Sequence, residues 1–337
     1  MIYIKYFTST WLFALVVFLL IGVYIQPVMG DLTRLGNLSE RHFGWNDEQP
    51  LINVEDNLNI NPDVVVLGDS FSDKNIWQSV ASKYSKLNFL TFQWNGLDKP
   101  GCLSQWIKTV NLEYPTAKFI VLETVERQFI STFGSTPNNN CSATRLIPVL
   151  VREKVIESSR NRSIKSAMPD PIYAIQAIAN EFKTFEQPLA RGSAYVVPLT
   201  RADLFSNKKS GLMLFYKGDI AKIEWNQEAV NIAIQNIKNI DRFAREKGLT
   251  LLMAVVPDKS TAYREFIRSD QFKLQAPDVW MELNRQGVNQ VDLRSSIVNA
   301  VNSDRDIYMS NDSHLSSKGY IVMGRDIADR IDILKAK

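Results

Sequence analysis

This chain of 337 residues has little of what metal centres, disulfide frameworks and nucleic-acid surfaces are built from. It has two cysteines, Cys102 and Cys141, and two histidines, His42 and His314. Two cysteines make neither a disulfide framework nor a cysteine-rich zinc site, and no His-x-x-x-His spacing is present to build a metal cluster. An excess of one charge is also lacking: 39 Lys and Arg against 36 Asp and Glu leave a formal +3, with no long basic run. That is no electrostatic footprint for nucleic acid, and this class is set aside. With histidines so few, any histidine acting as a general base is His42 or His314. His42, in Arg-His-Phe-Gly-Trp, has no acid or nucleophile pattern around it and reads as a packing or surface residue.

Long apolar runs are equally scarce. The strongly apolar segment is Trp11 to Gln26, uncharged throughout, with Trp11 and Tyr24 where interfacial aromatics belong. Residues 1–30 are therefore expected to form a single N-terminal transmembrane anchor, with Lys5 favouring a cytoplasmic N-terminus. A cleaved signal peptide ending near Val28-Met29-Gly30 is the competing reading. Both export the rest of the chain, and the anchored form would be a single-pass inner-membrane protein whose catalytic domain faces the periplasm or cell exterior. Export allows a Cys102 to Cys141 disulfide without placing the two together. Residues 31–60, polar and without a sustained period, read as a juxtamembrane tether.

What is present in quantity is apolar content, 45% of the chain, enough for a large core. From residue 62 strands and helices alternate. Val64 to Leu67 reads as a buried strand, with a helix around Asn75 to Tyr84, a strand Leu87 to Phe92, a helix near Leu103 to Leu112 and a strand Phe119 to Leu122. Order returns with a helix at Gln227 to Lys247, ended by Gly248, then a strand Leu249 to Val256, a short strand Val288 to Leu293 and a closing helix Ser316 to Leu334. This alternation predicts an α/β fold with a parallel sheet covered by helices on both faces, its functional groups at the carboxyl ends of the strands. Residues 61–337 form the catalytic domain in this reading. A long insertion at about 131–226, with amphipathic stretches near Ile147 to Ser158 and Tyr173 to Phe185, would cap or frame the site or serve as structural elaboration.

The stretch Val64-Val65-Val66-Leu67-Gly68-Asp69-Ser70-Phe71-Ser72 puts Ser70 at the end of a strand, where a following helix would favour the negative charge of acyl transfer. Ser70 is the candidate nucleophile; the alternative is an ordinary turn with Ser72 or Asp73 as helix cap. Far along the chain, Asp312-Ser313-His314 precedes the last helix. Asp312 would fix the tautomer of His314, and His314 would take the Ser70 proton. The plain alternative is that Asp-x-His merely caps that helix.

Gly68-Asp69-Ser70 near the start of the domain and an Asp/His pair before its last helix resemble the SGNH (GDSL-type) hydrolase superfamily over roughly residues 60–335. The resemblance implies a three-layer α/β fold, a Ser70-His314-Asp312 triad and an oxyanion hole formed by the serine amide and a glycine amide, Gly96 or its rival Gly101. Two blocks depart from common SGNH esterases. After the third strand stands Glu123-Thr124-Val125-Glu126-Arg127 rather than Gly-x-Asn-Asp, and the acid is Asp312 where Asp-x-x-His would put it at Asn311. These departures, with Val256-Pro257-Asp258-Lys259, resemble the alginate O-acetyltransferase group of AlgX and AlgJ, with the motif order permuted. That resemblance implies an O-acetyltransferase of a bacterial surface polysaccharide or exopolysaccharide, needing no cofactor or metal. Its partners would be a polysaccharide acceptor and a membrane-bound acyltransferase relaying the acetyl group. Glu123, Arg127, Asn95 and Lys259 are expected to line the substrate site, although a structural ion pair accounts equally for Glu123 and Arg127, and a solvated turn for Lys259. A carbohydrate or lipid esterase and a non-catalytic polysaccharide-binding scaffold are the competing functions.

Overall fold

The computed structural model describes residues 2–24, 29–54, 61–97, 100–135, 141, 147–149, 154–156, 171–181, 185–273 and 276–336. At its centre lies a parallel five-stranded sheet with the spatial order Gln290–Val291, Thr250–Val256, Phe119–Val125, Val64–Gly68, Phe89–Gln93. Numbered along the chain this is the order 2-1-3-4-5 of a doubly wound sheet, whose winding reverses between Val64–Gly68 and Phe119–Val125. Ligand sites form at such a reversal because the flanking loops diverge there and leave a crevice.

The strands read as continuous apolar runs because helices cover both faces. Val64, Val66, Phe119, Val121, Leu252 and Ala254 point into one core with the helices Ile76–Ser85, Leu293–Ser303 and Ser317–Lys335. Val65, Leu67, Ile120, Leu122, Leu251 and Met253 point the other way, onto Leu103–Glu113, Gln227–Glu246 and Val279–Arg285. Each fully buried side chain of this kind is worth about 1.5–3 kcal/mol, so a one-residue slip of any strand would be heavily penalised. The register is correspondingly definite, with Leu67 opposite Leu122 and Val125 opposite Val256. Helix ends follow local chemistry. Asn226 Oδ1 accepts from the Ala229 amide at 2.8 Å to start Gln227–Glu246, and Gly248, at φ +74°, turns the chain out of it.

Three expectations change. Ile2–Tyr24 is helical, but among the described residues no helix is long and apolar enough to cross a membrane, so the transmembrane anchor is not carried forward. Residues 31–43 are not a free tether. They form the short helices Asp31–Gly36 and Glu40–Phe43, and Leu32, Leu38 and Phe43 share a third core with Ala194, Val196 and Leu214. These last belong to an antiparallel sheet of Leu189–Arg191, Ala194–Pro198 and Leu212–Tyr216, which lies within the expected insertion. Finally, the helix lies where the sequence puts it, at Ile76–Ser85, but residues 70–74 form a turn and Asn75 takes a left-handed φ of +51°, so Ser70 does not stand at its amino end.

Within the insertion, half of the stretch near Ile147 to Ser158 lies outside the described residues. Its part Lys154–Ile156 is a strand paired antiparallel with Ile52–Val54. The other stretch is the helix Pro171–Glu181. Cys102 and Cys141 are disulfide-bonded, with Cα atoms 5.7 Å apart.

Candidate active site

The first strand ends at Gly68, and Asp69 ties the following turn to the neighbouring strand. Its Oδ1 accepts from the Phe71 amide at 2.9 Å, and its Oδ2 from the Val125 amide at 2.7 Å. Beneath the turn lies Glu123, with no exposed surface. Glu123 Oε2 accepts from the Ser72 hydroxyl at 2.6 Å and from the Asp69 amide at 3.0 Å, while Trp77 Nε1 donates to the same hydroxyl at 3.0 Å. Ser72 is thus a strut, not a helix cap. Gly68 is required by this closeness, since a Cβ there would come within 2.4 Å of Ser72 Oγ and 2.7 Å of Glu123 Oε2. Burial and the neighbouring Asp69 charge raise the Glu123 carboxyl well above its ordinary range, and burial raises Asp69 as well.

The turn leaves Ser70 exposed. Facing it, His314 Nε2 lies 2.8 Å from Ser70 Oγ and His314 Nδ1 lies 2.6 Å from Asp312 Oδ1, joining residues 244 positions apart in the chain. The Phe71 ring rests on the imidazole with centroids 4.8 Å apart. Asp312 does not cap the last helix; Ser316 does, its Oγ accepting from the Lys318 amide at 3.2 Å. Asp312 is freed to face the ring. Burial opposes its charge, yet the ring and amide of His314 and the Asp31 amide hold its carboxyl well below the ordinary carboxylate range. Burial likewise disfavours imidazolium at His314, but the hydrogen bond and charge of Asp312, joined by Asp31, prevail and raise its pKa above the usual histidine value. A serine hydroxyl, an imidazole and a carboxylate in this order form the constellation that serine nucleophiles use, recognised by geometry whatever the order in the sequence.

The other expected residues fall into two groups. Asn95 and Gly96 lie exposed just beyond the end of Phe89–Gln93, on the same edge of the sheet as Ser70, and Gly96 has nothing within 4 Å of where a Cβ would stand. Gly101 lies further on, in the turn Pro100–Cys102. Glu123, Arg127 and Lys259 are buried or nearly so, and each does structural work in place of the expected substrate contact. Arg127 pairs with Asp258 at 2.6 Å and Asp219 at 3.3 Å, and does not pair with Glu123. Lys222 closes the cluster on Glu126 at 2.8 Å and Asp258 at 2.7 Å. Burial and the Asp258 charge push Asp219 up to about 8.

Lys259 is 1% exposed, and its Nζ donates to the carbonyls of Met309 at 2.6 Å, Ser310 at 3.2 Å and Asp312 at 3.1 Å. It therefore holds the loop that carries Asp312 and His314, and burial pushes its ammonium down to about 7. The sequence gives Asp69 no role and Ser72 only that of a candidate helix cap, although both stand in the motif that flags Ser70. Their signal was adjacency: short polar side chains in a tight turn hydrogen-bond nearby backbone.

Residues 213–336 match the family model described as ALGX: SGNH hydrolase-like domain, acetyltransferase AlgX. That stretch includes Lys259, Asp312 and His314, whereas Ser70 precedes it. Among solved structures, a G-D-S-L family protein from Desulfitobacterium hafniense DCB-2 is 12% identical, over 80% of this chain and 99% of that one, with a TM-score of 0.37. A GDSL-like lipase from Bacteroides thetaiotaomicron VPI-5482 is 9% identical, over 80% and 88% of the two chains, with a TM-score of 0.36. No curated protein matches the chain. The resemblance read from the short motifs thus holds over the C-terminal part of the chain, where residues 213–336 are similar to an SGNH hydrolase-like acetyltransferase domain, and the parallel sheet covered by helices is an α/β fold.

Proposed function

We propose that this protein is an O-acetyltransferase that acetylates a bacterial surface polysaccharide or exopolysaccharide through an acetyl-Ser70 intermediate. The observation that carries the reading is the hydrogen-bonded series Ser70, His314, Asp312, with gaps of 2.8 Å and 2.6 Å, opening to solvent on Ser70. The match of residues 213–336 to an acetyltransferase domain supports transfer over simple hydrolysis.

In this mechanism His314 Nε2 accepts the Ser70 proton as Oγ bonds to the acetyl carbonyl carbon, and Asp312 stabilises the imidazolium that forms. The tetrahedral oxyanion is held by the Ser70 amide together with that of Gly96 or, further along, Gly101. Collapse expels the donor's leaving group, which takes the proton from His314. A sugar hydroxyl then gives its proton to His314 and attacks the acetyl-serine carbonyl, and the Oγ–acyl bond breaks as Ser70 Oγ takes that proton back from His314. No step requires a cofactor. The acceptor is a polysaccharide, and Asn95 is positioned to contact it. The acetyl donor is relayed from a membrane-bound acyltransferase.

We place the catalytic domain outside the cytoplasm, facing the periplasm or cell exterior at the inner membrane. Disulfides persist in oxidising compartments, and Cys102–Cys141 is one. The test offers the full chain an activated acetyl ester with and without oligosaccharide. Acetylated sugar formed by the wild type and not by Ser70→Ala supports the proposal. Acetate release alone makes the protein an esterase, and turnover unchanged in Ser70→Ala leaves only a scaffold.

A further inference from the structure

The Asp312–His314 loop is held from a direction that no sequence pattern announces, by the first residues after the N-terminal helix. Leu32 and Thr33 donate their amides to the Asn311 carbonyl at 3.1 and 3.2 Å. Glu40 Oε2 accepts from Asn311 Nδ2 at 2.7 Å, and its Oε1 accepts from the Gly30 amide at 2.8 Å. Gly30 lies so close that a Cβ there would stand 2.0 Å from the Asn311 carbonyl oxygen. At the centre of this clasp is Asp31. Its amide donates to Asp312 Oδ2 at 3.1 Å, and its own carboxylate accepts from the Ser313 amide at 2.8 Å and the Ser313 hydroxyl at 2.5 Å. Asp31 Oδ2 is also 4.0 Å from His314 Nδ1.

We infer that Asp31 is a positioning residue for the Asp312–His314 pair, a further acid supplied by residues 30–40 to a site otherwise built from Ser70 and residues 312–314. The inference rests on the acyl-transfer reading and adds a residue to it. With a single residue between Asp312 and His314, the loop is short, and its backbone alone leaves the direction of each carboxylate oxygen open. Oδ1 of Asp312 is taken by the ring and amide of His314, and the Asp31 amide takes Oδ2. Both oxygens are thereby engaged, which fixes the carboxylate's plane and hence the ring's orientation toward Ser70. The Asp31 carboxylate does the same for Ser313, the residue between them, and adds negative charge beside the imidazolium that proton transfer creates. The charged groups that face or lie near the ring are Asp312, Asp31, Lys74 and Asp73, with Lys259 behind the loop.

The experiment compares full-length wild type, Asp31→Asn and Asp31→Glu for kcat/KM on an activated acetyl ester against pH, and for the rate at which a fluorophosphonate labels Ser70. Asp31 favours imidazolium, so removing its charge lowers the His314 pKa and moves the acid limb of the profile to lower pH. Asp31→Asn is expected to move that limb so, to lower the plateau and labelling rate about ten- to hundred-fold, and to be substantially restored in Asp31→Glu.

Wild-type values across the pH range, or a fall with the limb unmoved and no recovery in Asp31→Glu, overturn the inference. Should Asp31→Asn lose its thermal transition, Ser313→Ala carries the test. Slower labelling with an unchanged melt supports the inference, and unchanged labelling overturns it. A wild type that neither turns over ester nor takes the probe counts against acyl transfer itself. A wild type that does both, with Asp31→Asn its equal, counts against Asp31 alone.

Discussion

Ser72, two residues past the candidate nucleophile, donates its hydroxyl to Glu123 at 2.6 Å, and through that bond the turn bearing Ser70 stands on the interior of the sheet. Removing the acid leaves the Ser72 hydroxyl and the Asp69 amide without their acceptor in a dry site. Glu123→Ala is expected to cost about 2–4 kcal/mol in urea unfolding. Burial raises this carboxyl well above its ordinary range and so favours its neutral form, which Glu123→Gln mimics at the same size, so that variant should cost far less. Equal losses in the two variants would contradict a neutral strut.

The pH dependence of turnover follows from His314. The ring must be unprotonated to accept the Ser70 proton, and its pKa is raised, so kcat/KM should climb with pH through a midpoint above the ordinary histidine value of about 6.5. Asp312→Asn removes the largest source of that rise. Its plateau should fall about a hundredfold to ten-thousandfold and its midpoint move to lower pH. A profile flat from acid to neutral pH would remove His314 from the reaction.

Lys259→Met keeps a long buried side chain but leaves the carbonyls of Met309, Ser310 and Asp312 without their ammonium donor. Turnover should fall about tenfold while stability changes by less than about 2 kcal/mol, since burying the ammonium is itself costly. The native lysine sits near 7 and the free side chain near 10.5. Between these values the folded protein binds fewer protons than the unfolded chain, so wild-type stability should climb with pH across that window. Melting curves at stepped pH should show the climb in the wild type and its loss in Lys259→Met.

Replacing Cys102 and Cys141 together by alanine opens a loop closed across a separation of 39 residues. The expected cost is about 2–4 kcal/mol, chiefly through a freer unfolded chain, with the ester kinetics of the folded molecule unchanged. A loss of activity without a loss of stability would mean the crosslink shapes the site and does not merely brace the fold.

The sheet was legible from sequence because a strand buried on both faces has to be apolar at every position, as Val64 to Leu67 is. Ser70 and His314 were legible because a strand-to-turn serine and one of two histidines beside an acid carry chemistry in their residue types. Burial of charge was not. Glu123, Arg127 and Lys259 look like surface groups until the partners arrive, and those partners are carbonyls and acids tens of positions away, such as Asp258 for Arg127 and Met309 for Lys259. The docking of residues 31–43 was hidden for the same reason. Asp31 meets Asp312 across 281 positions, and nothing in a polar, aperiodic stretch signals where it will land.

The groups that assemble around the imidazole come from residue 31, residue 70 and residues 312–314, so the first quarter of the polypeptide and its last few dozen residues meet in a single place. In the acyl-transfer reading, a ribosome still gripping the last few dozen residues holds a molecule with its serine displayed and no base to activate it. In that same reading, a chain interrupted before Asp312 would keep Ser70 on its turn yet lack both the imidazole and the carboxylate that stand against it.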